Sequence, residues 1–302
     1  MDRLDAMNVF VRIVEMRSFT KVASDLGLPR STVTDAIKAL EARVGTSLLH
    51  RTTRVVRPTL DGEAYYQRCL SILSEVEDAE DAFDGSIPKG TLRIEIHGTL
   101  ARHFLLPSLP DFMRGIPGIK MHIGEGDRLV DLVREGVDCA IRVGDPVDSD
   151  MIGRKLTELE EVTCASPAYL EQFGTPRSID ELEGHQMVGF RSTATGSVLP
   201  LEFAENGVTR SVQLPTSITV SGADTLAHCA RLGLGIIQKP RYSAAEDLAS
   251  GRLIELLSDT PPAASPVSIF YPRNRYISPR LRVFIDWVVQ AITEHPDNRS
   301  AH

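Results

Sequence analysis

The sequence predicts an α/β chain in three parts: an all-helical head, one long helix, and a body of alternating strands and helices. Three observations predict it. Before residue 59, apolar residues recur at helical spacing in two short runs, Phe19, Val22, Ala23, Leu26 and then Val33, Ile37, Leu40, Val44. Over 60–85 the apolar positions Tyr65, Cys69, Ile72, Val76, Ala79 and Phe83 follow at intervals of 4, 3, 4, 3 and 4, a heptad. From Gly90 onward, strand-type alternation and helical runs succeed one another.

Within the head, Gly27-Leu28-Pro29 separates the two helical runs. Gly tolerates the positive φ of a helix end and Pro suits a first helical turn. Two short helices joined by such a turn, with small polar residues opening the second, make a helix-turn-helix pattern. Arg30, Ser31, Thr32, Thr34, Asp35 and Lys38 fall on the first turns of that second helix, opposite Val33 and Ile37. They are the candidates for DNA contact. Leu48-Leu49-His50-Arg51-Thr52-Thr53-Arg54 suits a wing; Arg51, Thr52, Thr53 and Arg54 are its DNA-binding candidates, with Arg51 and Arg54 holding phosphates. Spacing alone leaves an ordinary helical hairpin open.

Charge is divided along the chain. The net charge is −8, yet residues 1–59 carry ten Lys/Arg against six Asp/Glu, and residues 60–85 carry one Arg against eight acids. Phosphate attraction decays over about 8–10 Å at physiological salt, so the local sign decides and a basic head can bind DNA. Thr59 can cap the long helix, and Asp61 and Glu63 suit its positive end. The heptad positions then form a dimerisation seam; the alternative is a surface helix lying on the body of the same chain.

In the body, Leu92, Ile94, Ile96 and Ile119, Met121, Ile123 alternate as strands. Leu100–Arg114 is a helix broken by Pro107 and Pro110, and Leu129–Arg134 a short one. Asp138–Val143, Ile218–Val220, Gly235–Gln238, Leu253–Leu257 and Val267–Tyr271 are further strands; Ala223–Leu232, Tyr242–Leu248 and Leu281–Ile292 are helices. Repeated βα units predict mostly parallel sheets with helices on both faces.

Other classes are excluded by what the sequence lacks. No run of about 18 apolar residues predicts a membrane span, and the start, Met1-Asp2-Arg3-Leu4, lacks secretory form. Cys69, Cys139, Cys164 and Cys229 stand far apart, which predicts reduced thiols in a cytoplasmic protein. There is no GxSxG elbow, no phosphate loop, and no zinc-ligand spacing around His97, His103 and His122. Gly233-Leu234-Gly235 follows a helix and precedes a strand, the reverse of a nucleotide-binding turn. Neither an enzyme nor a cofactor or metal site is predicted.

Across Met1 to about Ile292 the chain resembles the LysR-type transcriptional regulators. The resemblance lies in Phe19…Ala23…Leu26…Val33…Ile37…Leu40-Glu41…Gly45…Leu48-Leu49…Arg51-Thr52…Thr59…Gly62, all at family spacing. Pro29 and Asp35 depart from it, where the family usually has serine and arginine. The resemblance implies a winged helix-turn-helix over 1–59, a linker and dimerisation helix over 60–87, and an effector domain over 88–302. That domain would have two lobes of the type II periplasmic-binding-protein kind, lobe one about 90–162 and 266–293, lobe two about 163–265, with crossings near Glu161–Ala165 and Ala264–Val267.

Positions matching the family's cleft are Thr99, Leu100, Asp127, Arg142, Gly144, Phe190, Arg191, Ser221, Gly222 and Thr225. Structural readings stand beside these, Arg142 and Arg191 as ion pairs in lobe packing and Thr99 as a plain helix cap. The implied partners are a double-stranded DNA operator, a second copy in a homodimer or homotetramer, a small organic acid, and RNA polymerase. The alternative function is a ligand-independent repressor with a vestigial cleft.

Overall fold

A computed structural model describes residues 1–51, 56–84, 88–126, 132–144, 151–193, 195–205, 207–273 and 277–295, without the side chains at 51, 78, 81–84, 133 and 134. The head is built from α1 (Arg3–Met16), α2 (Phe19–Asp25), α3 (Arg30–Val44) and an antiparallel pair, β1 (Leu49–Arg51) and β2 (Val56–Pro58). Asp2 and Asp5 form a reciprocal capping box at the start of α1. The break after α2 is a Schellman turn: Gly27, at φ 63°, donates to Ser24 O, and Leu28 N donates to Ala23 O over 2.9 Å. Pro29 occupies the cap of α3 with no side-chain hydrogen bond, as its replacement of a serine requires. Phe10, Ile13, Val22, Val33, Ile37, Leu40 and Leu48 close one core beneath the three helices.

Several positions of the resemblance acquire a physical reason here. The Glu41 carboxylate accepts from Leu48 N at 2.9 Å and Leu49 N at 3.2 Å, tying α3 to the wing. Thr59 Oγ1 donates to Ser47 O and accepts from Gly62 N, which caps α4 (Leu60–Asp84). A Cβ on Gly62 would lie 1.9 Å from Leu48 O, so only glycine lets α4 leave the wing at this angle.

The body begins with β3 (Gly90–Ile96) and the short α5 (Gly98–Leu100), which runs into a π-helical turn over Ala101–Leu105. Next come α6 (Leu109–Gly115), β4 (Ile119–Glu125), α7 (Leu132–Glu135), β5 (Cys139–Val143) and β6 (Met151–Leu159). At Glu160 the chain leaves the first sheet. The second unit holds β7 (Glu161–Ala165), α8 (Pro167–Phe173), a 3-10 turn at Ile179–Leu182, β8 (Gly189–Arg191), β9 (Val198–Leu199), β10 (Leu201–Glu205) and β11 (Val208–Val212). It continues with β12 (Thr219–Val220), α9 (Ala223–Arg231), β13 (Ile237–Pro240), α10 (Arg241–Ala249) and β14 (Ile254–Leu256). Then β15 (Ser265–Pro272) returns to the first sheet and α11 (Pro279–Thr293) covers it.

The first sheet has the order β4-β3-β5-β15-β6, and the second unit contains β13-β7-β14, β12-β8-β9 and the β10-β11 hairpin. The expectation of mostly parallel sheets is corrected. Parallel pairing joins β3 to β4 and β5, and β12 to β8; the other ladders, including β15 against β5 and β6, are antiparallel. Right-handed βα units make parallel neighbours only while the chain stays in one sheet, and this chain leaves and comes back reversed. Each unit has its own apolar core, Leu92, Ile141, Ile269 and Phe284 in the first, Phe203, Tyr169, Val162 and Ala230 in the second.

Helix α4 does not point all its heptad positions toward one partner. Cys69 is 0% exposed inside the head core, and the Tyr65 ring packs on Phe10 at 5.6 Å. Cys69 is thereby removed from the expected dimer seam, its surface enclosed in the head core, while Tyr65 is half-buried against α1. Farther along, Ile72 and Ala79 are exposed and Val76 is half-buried, while Phe83 lies outside the described side chains. Another face of α4 lies on the first unit, against α7, β3 and α11, as the surface-helix alternative has it.

Candidate functional site

Two surfaces bring the candidate residues together. On the head, Arg30, Ser31, Asp35 and Lys38 are exposed on one side of α3, with Thr32 and Thr34 half-buried beside them. Val33 and Ile37, fully buried, fix that orientation from the opposite face. Thr34 Oγ1 donates to Arg30 O of the preceding turn at 2.9 Å, leaving its lone pairs outward. The wing strands place exposed His50 opposite exposed Arg57, a cationic position the sequence reading passed over. The Arg51 side chain and Thr52, Thr53 and Arg54 lie outside the described residues.

The second surface lies where the two units of the body face each other. Thr99 sits in the first turn after β3; its hydroxyl is 2.9 Å from His97 Nδ1 and 2.9 Å from the Tyr242 hydroxyl of α10. Tyr242 therefore crosses from the second unit into the first, where its ring packs on His103 at 4.5 Å and Phe104 at 5.1 Å. Burial pushes its phenol up to about 12. Beside it, Arg102 donates to Glu125 at 3.0 Å and, across the units, to Asp224 at 2.5 Å. Asp224 stands in the first turn of α9, whose cap is Gly222, with exposed Ser221 and Thr225 on either side. The first-turn amides of α9 have no partner inside the helix and are donors for an anion.

At the crossing itself, burial lifts the Glu161 carboxyl to about 7, against the pull of a Ser265 hydrogen bond and the Lys239 charge. Its folded value is raised, so the stability it contributes below its ordinary range is lost as pH rises toward 7.

Several other cleft candidates are engaged within the chain. Arg142 pairs with Glu95 at 3.7 Å on the neighbouring strand, and Arg191 Nε donates to Gly196 O at 2.8 Å, closing its own loop. Arg142 so has the structural reading, while Arg191 is exposed and spends one N–H on its loop. Leu100 is 1% exposed in the core of the first unit, which leaves only its backbone for a ligand. Gly144 N donates to Pro266 O at 2.7 Å, so that amide is committed to the β5–β15 junction. Phe190 packs half-buried on the second unit's core, and Asp127 lies outside the described residues. Arg102, Asp224 and Tyr242 were missed because nothing in the sequence near them marks a site; Tyr242 is 143 residues from the threonine it meets.

An exposed polar helix face on a winged head, joined by a long helix to a two-unit α/β body, defines a DNA-binding regulator with a sensing domain. The chain belongs to the LysR family of transcriptional regulators. Residues 4–63 match the family's bacterial regulatory helix-turn-helix domain, and residues 86–293 match the LysR substrate binding domain. It is similar to the HTH-type transcriptional regulator YhjC of Escherichia coli K12, 38% identical over 302 residues, 98% of this chain and 100% of that one. Among solved structures it is similar to CrgA of Neisseria meningitidis, with a TM-score of 0.60 and 32% identity over 95% of this chain and 98% of that one. Full-length AphB, a Vibrio cholerae virulence activator, gives a TM-score of 0.60 at 27% identity over 95% of this chain and 99% of that one. These relatives are transcriptional regulators, not enzymes. Among the described residues no helix is long and apolar enough to cross a membrane.

Proposed function

We propose that the protein is a cytoplasmic, dimeric or tetrameric regulator that reads an operator with α3 and responds to a small acidic metabolite bound between the two units of its body. The observation that carries the effector reading is the meeting of both units at Thr99–Tyr242 and Arg102–Asp224. Arg102 is a cation at the cleft whose partner across the units is a carboxylate. A ligand carboxylate presents the same chemistry to the guanidinium, with the α9 amides, Ser221 and Thr99 as further donors. Titration of the full-length chain with aromatic and aliphatic acids, followed by melting temperature, tests this. A ligand at 100 times its Kd stabilises by about 2.7 kcal/mol. Thr99→Val and Arg102→Ala should each abolish the response to a hit. A hit that stabilises both variants equally binds elsewhere, and no response to any acid favours the ligand-independent repressor, whose units would be held by these same two bonds.

On the head, Arg30, Thr34 and Asp35 reach base edges in this reading, and Arg51 and Arg54 hold phosphates. Asp35 is an acid on a face that meets a polyanion, so it either accepts from a cytosine amino group or only repels. Asp35→Arg should change which sequences are preferred in a selection from random DNA, as well as overall affinity. Equal tightening on every sequence would show that Asp35 reads no base.

A further inference from the structure

Arg280 is 2% exposed and is the second residue of α11. A cation at that end of a helix faces the positive pole of the dipole, so α11 gains nothing from its charge. Its Nη2 donates to the hydroxyl of Ser74 on α4, itself buried. The ends of Arg280 and Glu77 converge on one point above Gly90: a Cβ there would lie 3.2 Å from Arg280 Nη1 and 3.3 Å from Glu77 Oε2. Gly90 also has φ 101°, so the backbone itself favours glycine there. Two helical turns earlier the body approaches α4 again, where Gly136, at φ 66°, would place a Cβ 3.4 Å from Gln67 O. The linker helix is thus seated on the first unit at two glycines and fastened at one by a buried guanidinium.

We infer that Arg280 is a positioning residue that fixes the direction of α4 against the first unit, and thereby the placement of the DNA-reading head. Its consequence for DNA rests on the proposed function; the joint itself does not. Burying a guanidinium costs several kcal/mol before it is paired, and apolar residues pack such a seam more cheaply. The planar fork gives instead one orientation. The capped start of α4 and its packing on α1 make head and helix move together. From Ser74 back to Leu60 the helix is a lever of about 21 Å. A 10° change at the joint then moves its far end by roughly 4 Å, close to the ~3.4 Å rise of one base step.

Hydrogen exchange on the full-length chain tests the joint, with Arg280→Met, Ser74→Ala and Glu77→Gln compared to the unaltered protein. Amides of α4 over 67–77 should exchange about tenfold faster in Arg280→Met and about threefold faster in the two milder variants, with β3 and β5 unchanged. Half-site spacing among DNA fragments selected by Arg280→Met should broaden by a base pair or more. Unchanged α4 exchange in all three variants, or equal acceleration through α11 and the five-stranded sheet, overturns the inference, since the latter is what a plain core residue would do. Failure of the unaltered protein to enrich any sequence would contradict the regulatory reading, while exchange would still decide the joint.

Discussion

Ile72→Asp is expected to break the assembly and to abolish tight operator binding while leaving the body folded. Ile72 is 38% exposed on α4, between the face that packs on the head and the face seated on the body. With Val76 and Ala79 it makes up the part of the heptad beyond Cys69, among the described side chains, that is left for a second copy. A carboxylate placed there on each of two helices is buried without a partner, which costs several kcal/mol. Losing the second head forfeits the effective concentration of a bivalent reader, about 10²–10⁴ in affinity. Sedimentation and a binding titration check both parts. A full-sized assembly with unchanged affinity would mean that the subunits associate through another surface.

Gly62→Ala should be the most damaging single methyl in the head. Its Cβ would fall 1.9 Å from Leu48 O and 2.9 Å from Leu48 C, both backbone atoms that no side-chain rotation can move. Either the Thr59 cap opens or the wing shifts away from Glu41. A loss of about 3–5 kcal/mol is the scale of such unrelieved clashes. Calorimetry should show the head melting earlier with the body transition in place. Gly45→Ala makes the useful contrast: its added methyl meets nothing within 4 Å, and the cost is the strain of φ 82° alone.

Local signals made the head legible. Helical spacing, the Gly27 turn, the Thr59 cap and the exposed side of α3 are each set within a few residues, and the structure has all of them. Topology was less legible, because alternation of Leu92, Ile94 and Ile96 says that a strand exists but not which neighbour it takes or in which direction. The antiparallel return of β15 therefore escaped. The period of α4 was correct, yet a period cannot say that the head and the first unit both pack on one helix, and Cys69 went inward. In the cleft, Arg142 matches a position that the family resemblance implies for ligand contact. Its carboxylate neighbour, Glu95, becomes visible only once β3 and β5 are in register. Arg102 and Asp224, 122 residues apart, meet only after the chain has crossed to the second unit.

A ligand bound between the units should change what the head does on DNA. The most direct measurement takes any acid that raises the melting temperature and titrates a selected DNA fragment with the full-length protein, with and without that acid. Coupling is reciprocal and of the order of 1–3 kcal/mol in regulated proteins, 5–150-fold in affinity. A shift in that range, or a changed footprint at equal affinity, is expected, and Arg102→Ala should abolish it. Identical affinity and footprint with the cleft saturated would contradict it, because a ligand that prefers neither arrangement regulates nothing.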